Sequence, residues 1–156
     1  MPDAYLPLAR RLLQQTEPTL RVSAATREAL LAGSSIERHP AGKTLSRRAD
    51  PVHELLLVLD GNLEVSMQGS GGRRSICWYL APGQWMGLIP VIDGRGAIHD
   101  LRSHTESVLL HIPRATFSQA LQADHCLALA CLNLLCERSR ALYDNMAAES
   151  LLPLRA

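Results

Sequence analysis

The middle of the chain, from about Ile36 to Pro113, is divided by turn signals that recur about every 8 to 15 residues, and this feature constrains the fold most. The signals are Asp60-Gly61, a glycine-rich QGSGGRRS, an APGQW turn and IDGRG. Between them lie short apolar runs such as HELLLVL, SICWYL and SVLLHIP. Short strands joined by tight turns, with no long helical pattern between them, predict an antiparallel sandwich or barrel.

Helical patterns flank this strand-rich zone on both sides. In residues 1–35, Leu6, Ala9, Leu12 and Leu13 form one apolar stripe, and the next helix is predicted to lie between an N-cap at Ser23 and a stop at Gly33. Residues 114–156 begin with PRATFSQAL and continue into a long uninterrupted helical stretch. The sequence therefore predicts a mainly β domain, 36–113, with N-terminal helices in 1–35 and C-terminal helices in 114–156.

The long C-terminal stretch carries a heptad-like seam, in which small and apolar residues recur at alternating steps of four and three. Such a seam is typical of a helix that pairs with a second helix, so we expect a homodimer. The alternative is a helix that lies on its own domain, because the seam is under three heptads long. The seam consists of Ala128, Leu132, Leu135, Ser139, Leu142 and Met146.

Composition limits the partners of the chain. A formal net charge of +1 over 156 residues argues against nucleic-acid binding by bulk electrostatics. The longest nearly apolar run is Cys126 to Cys136, well short of the roughly 20 residues that a membrane span needs. The N-terminus does not read as a signal peptide. We therefore expect a cytoplasmic protein without membrane contact.

The residues that most often carry chemistry are scattered. Three of the four cysteines, Cys126, Cys131 and Cys136, are spaced by five, so on a helix their thiols point in three directions. Small buried side chains on a packed helix are the simplest interpretation of these cysteines. A cupin-like enzyme would need a histidine and glutamate metal set, and only the His53-Glu54 pair and no HxH motif is present. We expect no metal site, no catalytic residues and no enzymatic activity.

Several motifs together resemble the cyclic-nucleotide-binding-domain family, and most of all the sensor half of Crp/Fnr-type bacterial transcription regulators. The resemblance covers about residues 30–150, and it lies in the order and spacing of the motifs rather than in any one of them. The motifs are Ala41-Gly42, Leu57-Val58-Leu59 with Gly61, Gly72-Arg73, Pro82-Gly83 with Gly87, Asp93-Gly94, and the run from Leu109 to Phe117.

The resemblance implies an antiparallel β-roll, a double-stranded β-helix of jelly-roll type, followed by a long dimerisation helix. It implies a ligand-sensing domain that acts allosterically on a DNA-binding domain. A helix-turn-helix would be expected to follow near LLPLRA, and none does. The chain is then either a sensor half cut from a longer regulator or a natural stand-alone domain, and DNA contact would need the absent domain.

In family members that bind cyclic nucleotides, the segment after Gly87 corresponds to a phosphate-binding cassette. The cassette supplies a Glu for the ribose hydroxyl and an Arg followed by Ser or Thr for the cyclic phosphate. Here those positions are occupied by Leu88, Ala97 and Ile98, while Arg95 lies two residues early. An anion without a cation partner in an apolar cup is disfavoured by several kcal/mol.

The sequence therefore predicts a degenerate cassette whose effector is apolar or absent, with the effector itself unidentified. Two alternatives stay open. One is a cyclic AMP or cyclic GMP receptor in which Arg95 replaces the missing arginine. The other is a haem sensor with His99 or a cysteine of the last helix as axial ligand. The candidate pocket residues are Gly87, Leu88, Ile89, Arg95, Gly96, Ala97 and Ile98.

Overall fold

The computed structural model describes residues 2–151. It contains five α-helices, and none of those in the described part is long and apolar enough to cross a membrane. The helices are α1 Leu6–Gln15, α2 Ala24–Ala32, α3 Leu88–Asp93, α4 Arg114–Ala123 and α5 His125–Leu151, and the strands are β1 Ser35–His39, β2 Thr44–Ser46, β3 Glu54–Asp60, β4 Leu63–Gln68, β5 Arg74–Leu80, β6 Trp85–Met86, β7 Asp100–Ser103 and β8 Ser107–Pro113.

The eight strands form two four-stranded antiparallel sheets, which confirms the predicted mainly β class. One sheet has the order β1-β8-β3-β6 and the other the order β2-β7-β4-β5. The two sheets exchange strands along the chain, so consecutive segments alternate between them as in a β-roll. Short 3-10 turns at Pro2–Tyr5 and Ser70–Gly72 complete the described elements.

Strands β3 and β8 are the centre of the first sheet, and their sequences are apolar on both faces. Leu57 faces Leu110 and Leu55 faces Ile112 across the pair, and all four side chains are buried. One face packs against the helices in the main core, and the other contributes Val58 to a smaller core inside the roll. Burial on both faces explains why these strands lack the alternation of a half-exposed sheet.

Glycine is required at the β3–β4 turn, where the sequence predicts a reversal. Gly61 has φ +84°, and a Cβ there would lie 2.4 Å from the carbonyl oxygen of Glu106. A side chain at this position would thus meet both a strained backbone and a neighbouring backbone atom. The turn keeps β4 in register with β7, where Leu63 pairs with Ser103.

The N-terminal helices form as their end signals predict. The hydroxyl of Ser23 accepts a hydrogen bond from the backbone N–H of Thr26, and α2 ends at Gly33. On α1, Ala9 and Leu13 are fully buried in the main core. The amphipathic pattern therefore identified the buried face in part, because Leu12 is only partly buried and Leu6 is 38% exposed.

One helix lies inside the zone in which the sequence predicts only strands and turns. Helix α3 has six residues, from Leu88 to Asp93, and glycines with left-handed backbones stand at both of its ends. Its apolar run was too short to distinguish a helical turn from a strand, because both bury such a segment. Leu88 and Val91 enter the main core.

Helix α5 does not present the predicted seam as one uniform face. Leu135 packs against the main core, and Leu142 lies beside a cavity described below. Leu132, Leu142 and Met146 are all well exposed, and so is Tyr143, which is 71% exposed and outside the predicted seam. A single 3.5-residue period misses this difference, because it ignores where the domain covers the helix.

The cysteines also differ from the expectation of uniform burial. Cys131 on α5 is buried and packs in the main core as a small apolar side chain. Cys77, Cys126 and Cys136 are exposed. The spacing of five that separates their directions explains why only one of the three α5 thiols faces the domain.

Candidate functional site

A cavity of about 1130 Å³ lies between the β-roll and helix α5. Its wall is mostly apolar, and it is large enough for an organic molecule of effector size. Strands of both sheets, helix α3 and the segment before β7 contribute to it. From α5 it receives Leu134, Arg138, Ala141, Leu142 and Asn145.

Most of the predicted pocket residues lie on this wall. Gly87, Leu88 and Ile89 line it at the start of α3, and Ala97 and Ile98 line it just before β7. Gly87 has φ +100°, and a Cβ there would lie 3.2 Å from the carbonyl oxygen of Glu54. The close approach of this turn to β3 brings the cassette segment to the mouth of the roll.

Arg95 and Gly96 are not among the residues that line the cavity. The loop is fixed to a neighbouring turn, since Ala97 donates its N–H to the Asp50 carbonyl at 2.9 Å and Ala49 donates to the Ala97 carbonyl at 2.8 Å. Gly96 packs against that turn, and the side chain of Arg95 is exposed. The pairing with residues 49–50 is a tertiary contact that the loop sequence does not reveal.

The aromatic residues divide into two kinds. Trp85 is buried, lines the cavity and donates its indole N–H to the hydroxyl of Thr16 at 3.2 Å. Trp78 and Tyr79 are about half exposed. Trp78 lies on the cavity wall, on strand β5, whose side chains are exposed along most of its length.

His99 lines the cavity, and its imidazole ring lies beside the indole ring of Trp78. Its ring meets the Trp78 ring edge-on, with the ring centroids 4.9 Å apart. Burial is the main factor that lowers the pKa of His99, and the charge of Arg48 adds to it. The ring is therefore neutral near pH 7. The α5 cysteines do not line the cavity.

The structure also places a polar cluster on the wall that the sequence analysis did not identify. His39 and His111 are more than nine-tenths buried, and their Nε2 atoms are 3.0 Å apart. Glu54 lies 3.2 Å from His111 Nδ1, and Lys43 lies 3.2 Å from His39 Nδ1. Burial lowers the pKa of His39, and the charges of His111 and Lys43 lower it further.

His39, Glu54 and His111 come from β1, β3 and β8, and Lys43 comes from the loop between β1 and β2, so strand pairing is needed to bring them together. His39 is paired in register with Ser107, four positions before His111, and the two rings lean towards each other. The only sequence signal was that each histidine interrupts an otherwise apolar or strand-like segment. That signal is weak, because buried histidines are often satisfied by a single hydrogen bond.

The family profile of the cyclic nucleotide-binding domain matches residues 36–124, more than half of the chain. With the roll, the cassette segment and the cavity, this match shows that the chain belongs to the cyclic-nucleotide-binding-domain family. Within that family it resembles the sensor half of Crp/Fnr-type regulators, as the motif order predicted.

Curated relatives agree with this assignment. The chain is 27% identical over 125 residues to the CRP-like protein Clp of Xanthomonas oryzae pv. oryzae, covering 78% of this chain and 54% of that protein. It is 28% identical over 113 residues to Clp of Xanthomonas campestris pv. campestris, covering 70% of this chain and 48% of that protein. The chain thus spans about half the length of the curated relatives it matches.

Solved structures show the same fold. The sensor domain of the transcriptional regulator DNR from Pseudomonas aeruginosa superposes with a TM-score of 0.78 at 20% identity, covering 88% of this chain and 93% of that one. The catabolite activator protein of Thermus thermophilus gives a TM-score of 0.77 at 18% identity, covering 90% of this chain and 63% of that one.

Proposed function

We propose that this chain is the ligand-sensing and dimerisation part of a Crp/Fnr-type transcription regulator whose cavity takes a small, largely apolar effector. The observation that carries the proposal is the composition of the cavity wall at the cassette. Leu88, Ala97 and Ile98 stand there, at the positions where nucleotide-binding members carry an acid, a guanidinium and a hydroxyl.

The physical reason lies in the requirements of a buried phosphate. A cyclic phosphate taken from water needs a bidentate cation and several N–H donors, and it loses several kcal/mol without them. The side chain of Arg95 is exposed, and the backbone N–H of Arg95 donates to the Asp93 carboxylate at 2.9 Å, which holds the turn. This geometry supports an effector without a phosphate at the cassette.

Two cations do lie on the wall, away from the cassette. Lys43 is next to His39, and Arg138 lies on α5. Both side chains are exposed, so neither provides the water-excluded, bidentate contact that strengthens a charged hydrogen bond. They would favour a polar or weakly acidic group at one end of an otherwise apolar effector.

The dimer part of the proposal uses the exposed side of α5. On that side, apolar or small side chains recur along the helix at alternating steps of three and four residues. This spacing is typical of helices that pair with one another. This face overlaps the seam predicted from the sequence at Leu132, Ser139 and Met146. The full face is Leu129, Leu132, Cys136, Ser139, Tyr143 and Met146.

Helix α5 connects the two parts of the proposal. Leu134, Ala141 and Leu142 line the cavity, although Leu142 is 63% exposed, whereas Leu132 and Tyr143 are exposed and do not line it. An effector that moves α5 would change how two copies pair. In the proposed mechanism this shift in helix pairing is transmitted to a DNA-binding domain outside the present sequence.

Calorimetric titration with cyclic AMP and cyclic GMP tests the cassette. We expect no saturable binding up to about 1 mM, because a phosphate without its partners loses several kcal/mol. A double variant, Ala97→Arg with Ile98→Ser, restores the arginine and the hydroxyl residue of the family cassette and leaves Leu88 unchanged. It should gain at least about tenfold in affinity for a cyclic nucleotide. Arg95→Ala is the matched control and should change nothing. Micromolar binding by the unmodified protein that is lost in Arg95→Ala would overturn the proposal.

A neutral, solvent-sensitive dye such as Nile red tests the apolar cavity directly. The dye should bind the dialysed protein and brighten. Ile89→Glu and Ile98→Glu place a charge on the wall and should weaken binding by about tenfold or more. Ile76→Glu, on an exposed strand position outside the cavity, is the control. Equal dye binding in all four proteins would contradict an apolar effector site.

A haem-based sensor is the second candidate, and it is favoured by the neutral imidazole of His99 on the cavity wall. Titration with haemin should then give a sharpened Soret band at one haem per chain. His99→Ala should broaden that band and weaken binding. If His99→Ala gives the same spectrum as the unmodified protein, His99 is not the axial ligand.

A further inference from the structure

A second site lies at the edge of the cavity and has no part in the proposed effector binding. One donor atom from each of Glu37, His39 and His111 lies within 4.8 Å of the other two. Glu37 and His39 belong to β1, and His111 belongs to the neighbouring strand β8. We propose that these three side chains bind a divalent transition metal ion, with Zn²⁺ as the ion that suits them best.

The distances match a tetrahedral ligand set. His39 Nε2 and His111 Nε2 are 3.0 Å apart, and His111 Nε2 lies 3.2 Å from a carboxylate oxygen of Glu37. Zinc bonds of about 2.0 to 2.2 Å place neighbouring tetrahedral ligands about 3.3 Å from one another. Two of the three distances between the ligand atoms are thus already close to the length that a zinc ion requires.

The protons of this cluster cannot be placed so that Lys43 donates to His39 while His111 donates to Glu37. If Lys43 donates to His39 Nδ1, then His39 carries its proton on Nε2 and donates it to His111 Nε2. The lone pair of His111 Nε2 is then used, and the Glu37 oxygen 3.2 Å away faces an acceptor. If His111 instead donates to Glu37, the His39 ring cannot accept at both nitrogens. A cation at the shared corner satisfies the three atoms that meet there, because each of them then offers a lone pair, but it leaves the His39 Nδ1 proton facing Lys43.

Glu54 supplies the support that metal-bound histidines usually have. Its carboxylate lies 3.2 Å from His111 Nδ1, on the side of the ring opposite the proposed ion. Accepting the Nδ1 proton keeps the Nε2 lone pair directed at the metal and makes the ring a stronger donor. Glu54 comes from β3, so the site joins three adjacent strands of one sheet.

The ligand chemistry favours zinc over calcium or magnesium. Two imidazole nitrogens and one carboxylate are typical zinc ligands, whereas calcium and magnesium prefer all-oxygen sets. Both histidines line the cavity, so a fourth position on that side is open to water or to another small molecule. The site therefore differs in chemistry and in place from the apolar cassette.

The positive charge of Lys43 should weaken the binding of a metal ion at this site. Its ammonium lies 3.2 Å from His39 Nδ1, which must carry the proton once Nε2 binds the metal. Lys43 is exposed, so its chain can turn away, at a cost in affinity. The proposal thus predicts that removing this charge strengthens metal binding, an effect opposite in sign to that of removing a ligand.

The experiment titrates chelator-treated protein with Zn²⁺ alone, in competition with a chromogenic zinc indicator. The exposed thiols Cys77, Cys126 and Cys136 are replaced by serine beforehand, so that they cannot bind zinc. We expect one Zn²⁺ per chain, about 100-fold weaker binding in His39→Gln and His111→Gln, about tenfold weaker in Glu54→Gln, and tighter binding in Lys43→Met.

His53→Gln is the matched control, because His53 also lines the cavity but lies outside the cluster. Glu37→Gln keeps the test decisive if a buried histidine variant does not fold, since Glu37 is exposed. It should retain the circular dichroism spectrum and lose at least about tenfold in affinity. Failure to bind Zn²⁺ below about 100 μM, or equal binding in the ligand variants and in His53→Gln, overturns the site. Either result leaves the effector proposal untouched, because no effector is present.

Discussion

Asp124 and Thr26 are 98 positions apart in the chain, yet the Asp124 carboxylate accepts a hydrogen bond of 2.7 Å from the Thr26 hydroxyl. The same carboxylate accepts from the backbone N–H of Ser23 at 3.2 Å and of Cys126 at 2.9 Å. One side chain thus connects the N-terminus of α2 with the N-terminus of α5. The N-terminal helices are thereby fixed to the helix that borders the cavity.

Replacing this carboxylate should destabilise the domain. Asp124→Ala removes a helix cap and the hydrogen bonds that Thr26 and Ser23 donate to this carboxylate, so we expect a loss of about 2 kcal/mol in the free energy of unfolding. Urea denaturation followed by circular dichroism measures it. Asp3→Ala, at an exposed acid in the N-terminal 3-10 turn, should cost under about 0.5 kcal/mol. Equal losses in the two variants would show that the bridge is not stabilising.

The same bridge should depend on pH. The Thr26 hydroxyl is the main cause that holds the pKa of Asp124 below its ordinary value of 3.8, and the Ser23 N–H assists it. A carboxyl with a lowered folded pKa stabilises fully above its ordinary pKa, and this stabilisation is lost as the pH falls through the lowered value. The stability gap between the protein and Asp124→Asn should therefore be constant near pH 6 and shrink below about pH 4. A gap that stays unchanged down to pH 3 would refute the ionic contribution.

The exposed face of α5 should control dimerisation. Leu132→Glu places a charge in the proposed helix pair and should convert a dimer into a monomer in sedimentation-velocity experiments. Arg140→Glu, off that face, should remain dimeric. Comparing Tyr143→Glu with Leu142→Glu then distinguishes the two proposed surfaces, because both side chains are exposed but Tyr143 belongs only to the exposed face and Leu142 only to the seam that the sequence predicts. Dissociation by Leu142→Glu alone would favour the seam predicted from the sequence.

Two glycines with similar backbones should respond differently to alanine. Gly61 has φ +84° and Gly71 has φ +83°. A Cβ at Gly61 would lie 2.4 Å from the carbonyl oxygen of Glu106, whereas a Cβ at Gly71 would have no atom within 4 Å. Gly71→Ala should cost about 1 kcal/mol from backbone strain. Gly61→Ala should cost at least about 3 kcal/mol, because the β3–β4 turn must also move. Chemical denaturation of both variants measures the difference, and similar costs would mean that the turn adapts easily.

Cys131 should be the least reactive thiol of the chain. Burial raises its pKa to about 11, so near pH 8 only about one molecule in a thousand carries the thiolate. A variant that retains only Cys131 should react with Ellman's reagent at least about 100-fold more slowly than one that retains only the exposed Cys77. In denaturant the two rates should converge. Similar rates in the folded state would show that Cys131 is reached by solvent.

Local signals determined much of the fold. The Asp60-Gly61 turn, the Ser23 cap and the stop at Gly33 were readable because each depends on a few neighbouring residues and on backbone geometry. An antiparallel sandwich or barrel followed from the strand-length runs between such turns, and the resemblance to the family narrowed this to a β-roll. The cassette positions were placed by spacing within one continuous segment, and five of the seven predicted pocket residues line the cavity.

Only the tertiary structure decided which side chains share a space. Arg95 leaves the cavity because its loop pairs with residues 49–50, and Leu135 leaves the helix seam because the domain covers it. His39 and His111, 72 positions apart, meet because β1 and β8 are adjacent strands of one sheet. Sequence periodicity encodes which face of an element is apolar. It does not encode which distant element covers that face, because that contact depends on how the whole chain packs.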